Sequence, residues 1–115
     1  EDSVKATVNL LFEGMKTSDP AKVKGAFSDS AILQTIVQRE GKVSVRSERI
    51  DGFASQVSQA EKGSLDERIQ FETVKIDGNL AIAWTPYKFY YKGNFSHCGV
   101  NSFQLVRING AWKIQ

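Results

Sequence analysis

An α+β fold is predicted by three features of the sequence. Apolar residues fall at helical spacing in the first segments, the period changes to two from Leu65 onward, and glycine-containing turns separate the later strands. Runs of helix followed by runs of strand place helices on one face of a curved, mostly antiparallel sheet. One domain, residues 1–115, accounts for the whole chain, since no repeat, linker or low-complexity segment divides it.

Val4, Val8, Leu11, Phe12 and Met15 form one stripe and predict a first helix, with Asp2 or Ser3 as its cap. Asp19 followed by Pro20 restarts a short second helix that ends near Phe27. The β-branched stretch 31–38 predicts a strand, "REGK" a turn, and residues 43–45 a returning strand. Ser47, Ile50, Phe53, Ala54 and Val57 predict a capped third helix, closed by Gly63. Leu65, Ile69 and Phe71 then share a face that Val74 and Ile76 do not, which predicts a β-bulge near Glu72 and Thr73. Asp77-Gly78, Gly93-Asn94 and Asn109-Gly110 mark hairpin turns between long strands at 80–92, 95–107 and from 111 onward. Pro86, unable to donate to a ladder, predicts a strand edge or a second bulge.

Composition narrows the function classes. Fifteen Lys and Arg against 13 Asp and Glu leave a net charge of +2, too mild to imply nucleic acid. No apolar run approaches the roughly 18 residues of a membrane helix. A single cysteine allows no internal disulfide. The chain begins without methionine and ends inside a predicted strand. A removed leader, and with it a periplasmic or secreted location, is compatible with that start, and the last strand is expected to continue.

The layout, with the closing "VNSFQLVRINGAWKI", resembles the nuclear transport factor 2-like superfamily, a cystatin-like α+β roll. Within it, "PYKFYYKGNFSHCGVNSFQLV" is similar to the SnoaL-like branch labelled "putative lumazine-binding". The resemblance implies a cone-shaped sheet wrapped around the N-terminal helices, an open pocket, and a homodimer joined through the sheets. It also implies a range of activities, from isomerases, dehydratases and cyclases to binding-only proteins, so it predicts shape better than chemistry. No cofactor follows from it.

The only histidine, His97, stands beside the only cysteine, Cys98. Adjacent strand residues point to opposite faces, which disfavours a Cys–His nucleophilic pair. No second histidine or cysteine completes a metal-ligand set, so no metal is expected. With a Gly93-Asn94 loop, Tyr90 is expected opposite His97, Trp84 opposite Phe103, and Ile82 opposite Leu105. Trp84, Tyr90, His97, Asn101 and Phe103 would then line a pocket for a small, partly aromatic molecule, with Gly99 leaving room between the polar groups. Alternatively these groups face solvent or a dimer contact. The other face, Thr85, Tyr87, Phe89, Tyr91, Cys98, Val100 and Ser102, is expected in a sheet-to-sheet homodimer interface, unless the two faces are exchanged.

All 13 acidic residues precede residue 78, which excludes a carboxylate base from the last three strands. Glu67 is the best remaining acid by its face, but its position near a strand start reads as solvated. His97 is therefore the candidate catalytic acid-base. Lys88, Lys92, Arg107 and Lys113 could favour an anionic ligand, or form a solvated edge that blocks strand pairing. Three functions remain open: a non-catalytic small-molecule-binding domain, a lyase or isomerase using His97, and a protein-interaction domain.

Overall fold

The computed structural model describes all 115 residues. Its order is α1 (Asp2–Lys16), α2 (Pro20–Ala26), β1 (Ile32–Arg39), β2 (Lys42–Arg49), α3 (Ile50–Gln59), β3 (Leu65–Ile69), β4 (Thr73–Asp77), β5 (Leu80–Tyr91), β6 (Asn94–Ile108) and β7 (Ala111–Ile114). β3, β5, β6 and β7 form one antiparallel sheet, with β4 also on β5; β1 and β2 form a separate hairpin. The sheet curls strongly, as the predicted cone requires. No helix is long and apolar enough to cross a membrane.

The apolar stripe of α1 packs as its spacing dictates. Val4, Val8, Leu11 and Met15 are buried, together with Val23 and Ala26 of α2 and Ala54 and Val57 of α3. They meet Ala81, Ala83, Phe103, Leu105, Trp112 and Ile114 from the concave sheet face. Asp19 caps α2, its Oδ1 accepting from the amides of Ala21 (3.0 Å) and Lys22 (3.2 Å). The cap expected on α1 is absent, since Glu1 takes that position without a side-chain bond. Ser47 does not cap α3 either: β2 runs on to Arg49, and the Ser47 hydroxyl instead accepts from Gln34. Gly63 lies beyond α3, in the loop to β3, where its left-handed φ of +85° brings its amide to the Lys16 carbonyl at 2.7 Å.

Gly14 is where α1 and α2 touch. A Cβ there would stand 2.9 Å from the backbone nitrogen of Val23, which cannot move alone. Gly14→Ala is expected to lose about 1–3 kcal/mol, overpacking outweighing the roughly 1 kcal/mol that alanine gains in helix propensity. Gly52→Ala, in α3 with open space around it, should gain about 0.5–1 kcal/mol. Urea denaturation of the two variants checks these opposite signs.

The predicted bulge before β4 is present. Ile69 pairs with Tyr87 and Thr73 with Trp84, so four steps along one strand oppose three along the other. Pro86 lies in β5 opposite this break. Its carbonyl accepts from Gln70 at 3.0 Å, so its donorless nitrogen faces the interrupted edge.

The β5–β6 register differs from expectation. The loop is Lys92-Gly93, not Gly93-Asn94, and both residues have positive φ, 50° and 83°. Glu40-Gly41 and Asn109-Gly110 repeat that geometry. A type I′ turn needs two left-handed residues and favours glycine second, which puts Asn94 in the strand. That displacement alone preserves the faces. The extra residue is Ser96, which bulges between the pairs Tyr90–Phe95 and Phe89–His97 and exchanges the β5 faces relative to β6. Ala83 therefore stands opposite Phe103, and Ala81 opposite Leu105.

Candidate functional site

The concave face beyond the apolar core carries a polar cluster. Glu67 of β3 pairs with Phe89, and Phe89 with His97; two residues along β5, Tyr87 pairs with Gly99, and then Thr85 with Asn101. The Glu67 carboxylate does not follow its register neighbours. It reaches Asn101, whose Nδ2 donates to Oε2 at 2.7 Å. Asn101 lies four residues along β6 from His97, and a concave sheet lets these side chains converge.

Glu67 is half-buried. Burial pushes its carboxyl above the ordinary value of 4.5; the Asn101 hydrogen bond and the positive charge of His97 oppose that rise. The Tyr87 phenol is also pushed up, first by burial, then by the Glu67 and Cys98 charges, and so stays a neutral donor at physiological pH. Gly99 leaves room as predicted, but the Tyr87 ring fills it: a Cβ at Gly99 would sit 3.0 Å from the Tyr87 hydroxyl oxygen. His97 is exposed at the rim. Its ring lies edge-on to Tyr87 with centroids 5.8 Å apart, and 5.1 Å from Phe89. Nδ1 of His97 is 3.1 Å from the Ser96 hydroxyl. Thr85 is fully buried, and its hydroxyl has no partner.

The expected site residues are thus divided. His97 and Asn101 share the concave face. Phe103 is also there, but as floor: it is buried in the core and packs edge-on against Phe12 at 6.0 Å. Trp84 and Tyr90 lie on the convex face, where the Ser96 bulge puts them. Trp84 is 44% exposed, and Tyr90 stacks under the Arg68 guanidinium at 4.0 Å. Of the face assigned to a dimer, Thr85, Tyr87 and Phe89 point inward, while Cys98, Val100 and Ser102, opposite Lys88, Pro86 and Trp84, point outward. Neither the expected faces nor their simple exchange is right. Glu67 is half-buried rather than solvated, and its shared face with Ile69 and Phe71 was the signal for it.

An open cleft of about 400 Å³ lies elsewhere, between the base of the β1–β2 hairpin and α3, lined by Asp29, Glu48, Arg49 and Asp51 among others. Its lining is mostly exposed, and no polar group in it is as buried as Thr85. No cluster of three His, Cys, Asp or Glu side chains comes together anywhere in the chain.

A family model described as "Putative lumazine-binding" matches residues 1–115. The chain belongs to this family. Solved structures with the same nuclear transport factor 2-like fold include a protein of unknown function from Shewanella baltica OS155. It is 19% identical, with a TM-score of 0.76 over 98% of this chain and 86% of that one. A "putative dehydratase" from Streptomyces avermitilis is 15% identical, with a TM-score of 0.69 over 98% and 88% of the two chains. A "putative ketosteroid isomerase" from Shewanella frigidimarina NCIMB 400 is 18% identical, with a TM-score of 0.66 over 97% and 89%. At such identities the likeness establishes the fold alone. Comparison with curated proteins finds no match.

Proposed function

We propose that this family member is a small-molecule-binding cone domain whose ligand lies against Glu67, Asn101, Tyr87 and His97. The observation that carries the reading is the Glu67–Asn101 bond, a half-buried carboxylate held by one neutral donor on a concave face. Such a group destabilises the empty fold, and polar groups at an apolar floor orient a ligand. The rings of Tyr87, Phe89 and His97 suit a partly aromatic molecule. The convex face, where Ile82 (40%), Phe95 (57%) and Val100 (46%) are exposed beside Trp84, suits a homodimer through the sheet.

A second reading, a lyase or isomerase, is favoured by the raised pKa of Glu67. A carboxyl moved toward neutrality is a better proton acceptor at physiological pH. Glu67 then takes the general-base role that the sequence suggested for His97, with His97 at the rim and Asn101 orienting the carboxylate.

A thermal-shift screen against flavins, lumazines, pterins, steroids and aromatic polyketides tests both. A ligand at 100 times its Kd should stabilise the fold by about 2.7 kcal/mol. The shift should vanish in Glu67→Gln and shrink in His97→Ala. A hit that neither variant weakens places binding elsewhere and overturns the proposal. Turnover of a hit, lost in Glu67→Gln while binding persists, selects the enzyme.

A further inference from the structure

Resting on the binding reading, we propose that the ligand carries a protonated amine, held by the Glu67 carboxylate and the faces of Tyr87 and Phe89. Glu67 takes part in none of the six ion pairs. The cations around it are directed elsewhere. Arg68 and Lys88 project from the convex face, Arg68 being bound to Asp66 at 3.1 Å. Lys92, in the turn, reaches Glu61 at 3.8 Å. From α1, Lys16 approaches Asp66 at 3.9 Å, and Lys5 pairs with Glu1 at 3.2 Å. On the concave face Lys5 also lies over the Phe71 ring at 5.5 Å and Arg107 against Trp112 at 5.2 Å, neither of them bonded to Glu67, and His97 stands at the exposed rim.

A half-buried carboxylate in no ion pair is costly, and a ligand ammonium supplies a partner. An ammonium has three donors. The Glu67 carboxylate and the half-buried Tyr87 hydroxyl on the same face offer acceptors for it. The Tyr87 and Phe89 rings add cation–π attraction. A carboxylate or phosphate ligand would instead set like charges together beside Glu67. The lysines and arginine of the last strands therefore do not mark an anion site here: Lys88 faces outward, Lys92 and Arg107 serve turns, and Lys113 donates to the Gly25 carbonyl at 2.6 Å.

The test uses three probes of one shape: tryptamine (cation), tryptophol (neutral) and indole-3-propionate (anion). Binding to the whole chain is measured by calorimetry, beside the ligand screen above. The expected result is at least tenfold tighter binding of tryptamine than of tryptophol, none of indole-3-propionate, and loss of the tryptamine preference in Glu67→Gln. Glutamine keeps an acceptor for Asn101, so the fold should survive, and circular dichroism verifies it. Equal or tighter binding of tryptophol or the anion overturns the amine inference. If other screen compounds bind at Glu67 and no tryptamine does, this inference falls while the binding reading stands. If nothing binds in either set, both fall.

Discussion

Leu105→Ala should lower stability by about 2–5 kcal/mol, the range for deleting a buried leucine. Leu105 is 0% exposed and sits on β6 between Ala81 of β5 and Ile114 of β7. Its neighbours cannot compensate. Ala81 and Ala83 are already small, which lets the helices approach the sheet, and Val4, Val8 and Val57 are stiff β-branched side chains with no spare reach. The cavity would stay open and add to the lost transfer energy. In urea the midpoint should fall while the slope stays unchanged, since the same surface is exposed on unfolding. The melting temperature should drop by about 8–25 °C. Ile36→Ala is the control: Ile36 is 77% exposed on the β1–β2 hairpin, and its loss should stay within about 0.5 kcal/mol. A loss below about 1 kcal/mol for Leu105→Ala would mean that the helices do not pack against the sheet as described.

Much of this fold was readable because its signals are local. Helical spacing named four buried residues of α1, Asp19-Pro20 named the start of α2, and the phase change after Phe71 named a bulge. The concave face of β6 was also readable, since His97, Asn101, Phe103 and Leu105 alternate with outward residues. What failed was the relation between strands. A single one-residue event decides which side of β5 faces inward: the bulge at Ser96. Nothing in "GNFSHC" distinguishes a bulged serine from a paired one. Trp84 and Tyr90 were therefore expected inside, while Tyr87 and Phe89, the true concave neighbours of His97, were assigned outside. Glu67 failed for another reason. Its face was legible, but its burial depends on the curl that brings β3 toward Asn101, and curvature accumulates over a whole sheet rather than in one segment.

That curl makes Asn101 the residue on which the site depends, and Asn101→Ala should show it as a pH-dependent loss of stability. Asn101 is the one side chain that donates to the Glu67 carboxylate, so its removal leaves a half-buried charge with no donor. Hydrogen bonds to charged groups are worth about 1.5–3 kcal/mol, and a loss of that size is expected at pH 8. The sign follows from linkage. Glu67 already titrates above its ordinary 4.5 because burial disfavours the charged form, and Asn101 opposes that rise. A carboxyl whose folded pKa is raised favours the fold most below its unfolded pKa, and that advantage is lost as pH rises through the folded pKa. Without Asn101 the folded pKa rises further, so stability falls over a wider range and ends lower. Below pH 4, where Glu67 is protonated in both states, the variant should lose only about the 1 kcal/mol of a neutral hydrogen bond. Glu67→Gln should remove most of this pH dependence, because no charge is left to desolvate, and the double variant should lose no more than Asn101→Ala does at low pH. Thermal melts of the four proteins between about pH 3 and pH 8 measure it. A loss for Asn101→Ala that is the same at every pH would mean that Asn101 only fills space, and that Glu67 is not the charged centre of this face.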